Sequence, residues 1–304
     1  MSAIPANPVS TVRALAADLK LSHSVFALPF ALLAAFLAGT HAGAIDWSRF
    51  AGQLVLIVLA MVFARTVAML ANRLLDARID KDTPRTAGRA IPSGRVAPGA
   101  AAAALAVCAL GFMAVCVAFG LLYGNWWPSV LGLPVLGWIS AYALFKRFTA
   151  LCHIYLGSSL AISPLAAALA IEPAALSQPA LWLISFMVLC WVAGFDIIYA
   201  LQDVHVDRAQ GLFSMPSRFG ETGALWISRL LHVLAAGALA AAWLVDDRLG
   251  VLFGVGVGAV AGLLLYEHAV IARHGISRIT LAFFTLTGVI SCLLGVLGIA
   301  DVVV

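Results

Sequence analysis

Nine stretches of this chain, each about 20 residues long and nearly free of charge, are separated by polar loops, and this pattern confines the chain to a bilayer. A helix crossing the hydrocarbon core needs about 20 apolar residues, because backbone amides find no water there and each unpaired one costs several kcal/mol. The stretches run over 23–41, 50–71, 97–120, 126–144, 150–171, 180–201, 223–245, 250–272 and 279–300. The expected fold class is all-α, a polytopic membrane protein with nine transmembrane helices in one domain, 1–304. Composition agrees, with 63% of residues hydrophobic and 11% charged, where soluble domains carry about 25% charge. The five cysteines, Cys108, Cys116, Cys152, Cys190 and Cys292, form no C-x-x-C pair, so neither a disulfide framework nor a zinc site is implied. Residues 1–22 lack the apolar core and small-residue cleavage site of a secretory signal. They read as a mature, amphipathic cytoplasmic lead-in.

The net charge of +4 is weak grounds for nucleic-acid binding, and the positions of the charges say more. One set of alternate loops holds Arg13, Lys20, Arg73, Arg78, Lys81, Arg85, Arg89, Arg95, Lys146, Arg147, Arg208, Arg218, Arg273 and Arg278, and the other only Arg49 and Arg248. Cytoplasmic loops carry the Lys/Arg excess. The expected orientation has the N-terminus in the cytoplasm and the C-terminus outside.

Two acidic stretches stand out. After the second span, Asn72, Asp76 and Asp80 recur every four residues, which on a helix aligns them in one stripe. Arg65 lies on the same stripe. After the sixth span, Tyr199, Asp203 and Asp207 repeat that spacing and Asp196 joins their face. The offset from 72, 76 and 80 to 199, 203 and 207 is 127 residues each time, and Pro92-Ser93 matches Pro216-Ser217 at 124. Four spans lie between the copies, so this weak internal repeat is parallel.

Carboxylates on one stripe repel, and a divalent cation relieves them. Oxygen donors from Asp and Asn suit Mg²⁺, which commonly keeps waters and takes phosphate oxygens in place of a full protein cage. Two such clusters with basic residues between them suggest a diphosphate bridged by metal. The alternative is that the acidic residues only solvate a loop. Arg73, Arg78, Lys81, Arg85, Arg89, Lys146 and Arg147 are available to grip phosphate, and membrane-surface anchoring is the competing role for each. Lys146 follows Tyr142 by four and precedes His153 by seven, so the three share a face if the segment stays helical. His153 reads as packed or hydrogen-bonded rather than as a ligand. Two readings are open for Arg65, a substrate contact or an ion pair to a nearby carboxylate. Arg229 and His232 sit near the start of the seventh span, where snorkelling accounts for them.

Together these residues resemble the UbiA superfamily of intramembrane prenyltransferases, marked by N-x-x-x-D-x-x-x-D and D-x-x-x-D motifs. Asn72-Arg-Leu-Leu-Asp76-Ala-Arg-Ile-Asp80 fits the first. Asp203-Val-His-Val-Asp207 fits the second, with Asp196-Ile-Ile-Tyr199-Ala upstream. Arg85-Thr86-Ala87-Gly88-Arg89, Pro92-Ser93-Gly94 and Tyr142-x-x-x-Lys146-Arg147-x-Thr149 also resemble the family. The resemblance implies a UbiA-type bundle in which 72–96 and 203–220 form the catalytic cytoplasmic loops. Asn72, Asp76, Asp203 and Asp207 would hold Mg²⁺ with a prenyl diphosphate while Asp80 assists. Lys146 and Arg147 would contact the leaving group, with Arg73, Arg85 and Arg89 as further diphosphate contacts. Asp196 and Tyr199 would lie beside the acceptor, joined by Arg65 and Tyr142. Asp76, Asp203, Asp196, Tyr199 and Lys146 form the expected catalytic set.

The wording is nearest bacterial 4-hydroxybenzoate polyprenyltransferases and their relatives in the futalosine route to menaquinone. The implied reaction is Mg²⁺-dependent transfer of a polyprenyl group to 4-hydroxybenzoate, with a dihydroxynaphthoate as the alternative acceptor, at the bacterial inner membrane. The expected partners are these substrates and lipid, with no nucleic acid and no obligate protein partner. Two other classes compete: a cation-coupled transporter, which would place its acidic groups near the midplane, and a lipid-phosphate binding protein without turnover.

Overall fold

Helix boundaries follow the punctuation of the sequence. The computed structural model describes residues 8–19, 27–41, 43–279 and 285–304. Residues 1–7 and Lys20 of the lead-in, the opening of the first expected span and residues 280–284 of the ninth lie outside the described residues. The helices are α1 (Pro8–Leu19), α2 (Leu28–Gly39), α3 (Trp47–Leu75), α4 (Ala77–Lys81), α5 (Pro98–Tyr123), α6 (Trp127–Phe145), α7 (Cys152–Ile171), α8 (Pro179–Ala200), α9 (Val204–Ala209), α10 (Met215–Val245), α11 (Val251–His274) and α12 (Thr287–Val303).

Proline in the first turn opens α5, α6, α8 and α10, where its missing N–H costs nothing. The Asp46 carboxylate caps α3 by accepting from the amides of Ser48 and Arg49 at 3.1 and 3.3 Å. Ser214 and Ser217 form a capping box at the start of α10. Gly124, at φ 74°, turns the chain out of α5, and Gly220, at φ 72° and ψ 168°, breaks α10 just before the expected start of its span.

Among the described residues, seven helices are long and apolar enough to cross a membrane, and two shorter apolar helices, Leu28–Gly39 and Thr287–Val303, stand where the first and ninth spans are expected. The protein is all-helical and integral to a membrane. Its centre is α8, whose most apolar stretch is 72% buried against 22–39% for the other six long helices. It packs between α7 and α10, and fully buried Trp191 meets Phe30 of α2 edge-on at 5.5 Å.

Both acidic motifs fall where a long helix breaks. α3 stops at Asp76 (φ −93°, ψ 4°) before α4 resumes, and a single 3₁₀ turn ends at Asp203 (φ −105°, ψ 3°) before α9. These two residues are partners in the 127-residue repeat, so the repeat extends to the backbone. The segment joining α6 to α7 departs from expectation. It does not stay helical, because the chain turns at 146–149 and a new helix begins at Cys152.

Close approach of α7 to α8 depends on Gly157. A Cβ there would collide with the backbone carbonyl of Leu189 and stand 3.3 Å from the Ala193 methyl. Backbone cannot swing aside as a side chain can. Gly157→Val is expected to destabilise the fold by about 2–3 kcal/mol, read as a lower midpoint of thermal unfolding in detergent. Gly137→Ala, at an open position, should leave that midpoint unchanged or higher.

Candidate active site

The ends of α3, α6 and α8 meet at one end of the bundle, and the two acidic motifs face each other across a cavity of about 1290 Å³. Every site residue expected from the sequence lines this cavity except Arg147. The first motif keeps its four-residue register through the helix break, since the Asp76 amide donates to the Asn72 carbonyl at 2.9 Å and the Asp80 amide to the Asp76 carbonyl at 2.8 Å.

Asp76 is 1% exposed. Its Oδ2 accepts from Lys146 Nζ at 2.7 Å and Asn72 Nδ2 at 2.9 Å. Asn72 Oδ1 accepts from Arg73 at 2.7 Å. Across the cavity, both Asp203 oxygens accept from Arg85, at 3.1 and 2.5 Å, and Arg85 also donates to the Tyr199 hydroxyl at 3.2 Å. Burial lowers the pKa of the Arg85 guanidinium, but the hydrogen bond and charge of Asp203 outweigh it, and the net shift is upward. Asp80 is held by Arg89, which donates to both of its oxygens at 2.7 Å. Asp207 lines the cavity one turn of α9 beyond Asp203.

Two placements differ from the expected site. Arg147 is not in the cavity wall, because the turn after Phe145 sends adjacent side chains apart. Lys146 points inward, whereas Arg147 donates to the Leu75 carbonyl at 2.5 Å and reaches Asp76 at 3.4 Å from outside. The same turn removes the helical face on which Tyr142, Lys146 and His153 were aligned. Tyr142 and Lys146 line the cavity, while His153, 3% exposed, bonds Asp196 at 2.6 Å. Arg65 lines the cavity as expected: among the described residues no carboxylate forms an ion pair with it, and its buried Nε has no hydrogen-bond partner. That geometry removes the ion-pair reading and leaves a cation facing the cavity about 10 Å below Asn72 by helix rise.

Asp18 of α1 is a residue that sequence reasoning missed. Its carboxylate accepts from the Ala90 amide at 3.1 Å and stands 3.8 Å from Arg73 Nε. One aspartate in an otherwise ordinary amphipathic helix carries no signal of a partner 72 residues away.

Below the polar mouth the wall turns apolar, with Ile57, Phe112, Phe119, Leu131, Leu169 and Leu176 among its residues. Asp76 and Ile57 both line the cavity, and at about 1.5 Å per residue they lie about 28 Å apart along α3. That is close to the thickness of a bilayer core, about 30 Å. The two acidic motifs are at helix ends and not at the midplane, which is the wrong place for the transporter reading of those motifs.

The donor set fits Mg²⁺ in a particular way. Among the described residues no three Asp, Glu, His or Cys side chains converge on one point, so the protein offers no closed cage. Two carboxylate-bearing helix breaks flank an open mouth instead. This suits a Mg²⁺ that retains water and completes its shell with substrate oxygens. Lys146 and Arg85 now pair with Asp76 and Asp203, and a bound metal would take their place at the carboxylates while the two cations turn to the diphosphate.

Comparison with known proteins agrees with this geometry. Residues 27–297 match the family model described as the UbiA prenyltransferase family. The chain is 30% identical over 252 residues to 4-hydroxybenzoate octaprenyltransferase of Pectobacterium atrosepticum, covering 79% of each protein. It is 30% identical over 234 residues to the enzyme of the same name from Saccharophagus degradans, covering 75% of this chain and 72% of that one. Among solved structures, the apo UbiA homologue from Aeropyrum pernix K1 superposes with a TM-score of 0.80 at 27% identity, over 92% of this chain and 98% of that one. The Archaeoglobus fulgidus homologue bound to GPP and Mg²⁺ shares the fold at a TM-score of 0.69 and 21% identity, over 96% of this chain and 100% of that one.

Proposed function

The chain belongs to the UbiA prenyltransferase family, and from that premise we propose that it transfers a polyprenyl group from polyprenyl diphosphate to 4-hydroxybenzoate, with Mg²⁺ as cofactor. The observation that carries this reading is the cavity itself, a mouth of paired carboxylates and cations above an apolar wall, the two together spanning about 28 Å along α3. The named activity of its relatives and the GPP and Mg²⁺ held by the Archaeoglobus homologue support it.

In this reading Asn72, Asp76, Asp203 and Asp207 would hold Mg²⁺ together with the diphosphate, and Asp80 keeps Arg89 in place. Bound Mg²⁺ supplies charge neutralisation to the departing diphosphate. Lys146, Arg73, Arg85 and Arg89 bind the diphosphate oxygens and stabilise the charge that grows as the allylic C–O bond breaks. The electron pair of that bond leaves with diphosphate, and C1 of the prenyl group acquires cation character. The ring carbon ortho to the acceptor hydroxyl then bonds to C1, and the proton on that carbon passes to Asp196, restoring the aromatic ring. Apolar walls keep water from C1 in the interval. Arg65 faces the acceptor carboxylate, and Tyr142 and Tyr199 flank the ring. The fourteen-to-two division of basic residues supports a mouth on the cytoplasmic face of a bacterial inner membrane, with the N-terminus cytoplasmic and the C-terminus outside.

The test is product formation by purified protein in lipid, given geranyl diphosphate, Mg²⁺ and either 4-hydroxybenzoate or a dihydroxynaphthoate. Prenylated 4-hydroxybenzoate is the expected product. Product from the naphthoate alone would move the acceptor assignment to the menaquinone route, and product from neither would overturn the reading. Arg65→Leu should raise KM for the aromatic acid by at least about tenfold, as loss of a charged hydrogen bond does, with little change in KM for the donor.

A further inference from the structure

Both ring nitrogens of His153 are engaged, and together they fix what the ring can do. The backbone N–H of Met215 donates to His153 Nε2 at 3.2 Å. That nitrogen must then carry a lone pair, so the proton sits on Nδ1 and is donated to Asp196 Oδ2 at 2.6 Å. A histidine so committed cannot take up a second proton without breaking the Met215 bond. It orients Asp196 and does not relay its proton. The described residues give Asp196 Oδ1 no hydrogen-bond partner, and Asp196 lines the cavity one turn before Tyr199.

The same ring joins Asp196 to the loop that follows the second acidic motif. Phe213 donates its N–H to the Lys146 carbonyl at 2.7 Å, and the Cys152 thiol donates to the Phe213 carbonyl at 3.3 Å. With the Met215 bond to His153, three hydrogen bonds clamp 213–215 onto the turn after α6 and the first residues of α7. That turn also presents Lys146 to Asp76.

We propose that His153 is a positioning residue: clamped by the Met215 amide, it holds Asp196 so that Oδ1 meets the proton of the attacked ring carbon. This rests on the reading that an aromatic acceptor lies beside Asp196. Heterolysis at C1 leaves a cation with two fates. Attack by the ring carbon and transfer of its proton to Oδ1 gives the prenylated acceptor. Attack by water, with loss of a water proton, gives prenol. A displaced Asp196 slows the first route and leaves the second open.

The experiment compares wild type, His153→Leu and His153→Gln in lipid with Mg²⁺, geranyl diphosphate and 4-hydroxybenzoate, measuring prenylated product and prenol together. Glutamine can donate to Asp196 through its amide nitrogen and accept from Met215 through its amide oxygen. Leucine can do neither. His153→Leu is expected to lower kcat about 100-fold, as loss of alignment does, and to raise the ratio of prenol to product at least about tenfold. His153→Gln is expected to keep at least about a tenth of wild-type kcat with little prenol. A wild-type kcat and prenol ratio in His153→Leu would overturn the proposal, as would equal impairment of Leu and Gln variants that both insert and unfold like wild type. Should the Leu variant fail to insert, His153→Asn replaces it, since asparagine is too short to reach both partners, and Asn equal to Gln would overturn the proposal. Absence of prenylated product from wild type overturns the functional reading and this inference with it.

Discussion

Asp76→Asn is expected to reduce prenyl transfer by about 10²–10³-fold while leaving membrane insertion intact, measured as turnover against yield in the membrane fraction and the midpoint of thermal unfolding. The magnitude is that of removing one preorganised electrostatic group from a reacting centre. Asp76 is the most buried carboxylate at the mouth and stands between Lys146, Arg147 and Asn72. Asparagine fills the same volume, and its carbonyl can still accept from Lys146, so packing is preserved while the negative charge is lost. Asp203→Asn should behave alike on the opposite wall. Its partner Arg85 keeps the Tyr199 hydroxyl, so the structural cost there is smaller still. Both carboxylates serve one bound diphosphate in the proposed mechanism, and the double variant should therefore be little worse than either single one. Unchanged turnover in either variant would remove the acidic motifs from the mechanism.

Lys146→Met is expected to lower kcat about 100-fold with a smaller rise in KM for the donor. The lysine faces charge that is greater in the transition state than in the bound substrate, so most of its effect belongs in kcat. Its removal also takes the closest cation from Asp76. The loop clamp survives, because Phe213 bonds the backbone carbonyl of Lys146 and not its side chain. Lys146→Arg should recover part of the loss, since the charge returns in a different shape. Steady-state kinetics with each substrate varied in turn separates the two constants.

Much of this site is legible in the sequence because its residues obey local spacing rules. Asn72, Asp76 and Asp80 stay in register through a helix break, as hydrogen bonds from i to i+4 persist across Asp76. The bundle is legible because backbone amides in hydrocarbon admit few alternatives to a helix. What escaped was set by tertiary contact or by a change of direction within a few residues. The chain turns at 146–149, so neighbours Lys146 and Arg147 diverge, one into the cavity and one to the end of α3. The bonds from His153 to Asp196 and Met215 span 43 and 62 residues, and Asp18 caps a loop 72 residues away. No periodicity reports contacts of that kind.

Binding of an unreactive prenyl thiolodiphosphate to the wild-type protein, measured in Mg²⁺ and again in EDTA, tests most directly whether the facing acidic motifs hold a metal-bound diphosphate. The account predicts a Kd at least about tenfold lower in Mg²⁺, with the difference abolished in Asp203→Asn. Equal affinity in Mg²⁺ and EDTA, or a Mg²⁺ effect that persists in Asp203→Asn, would contradict it.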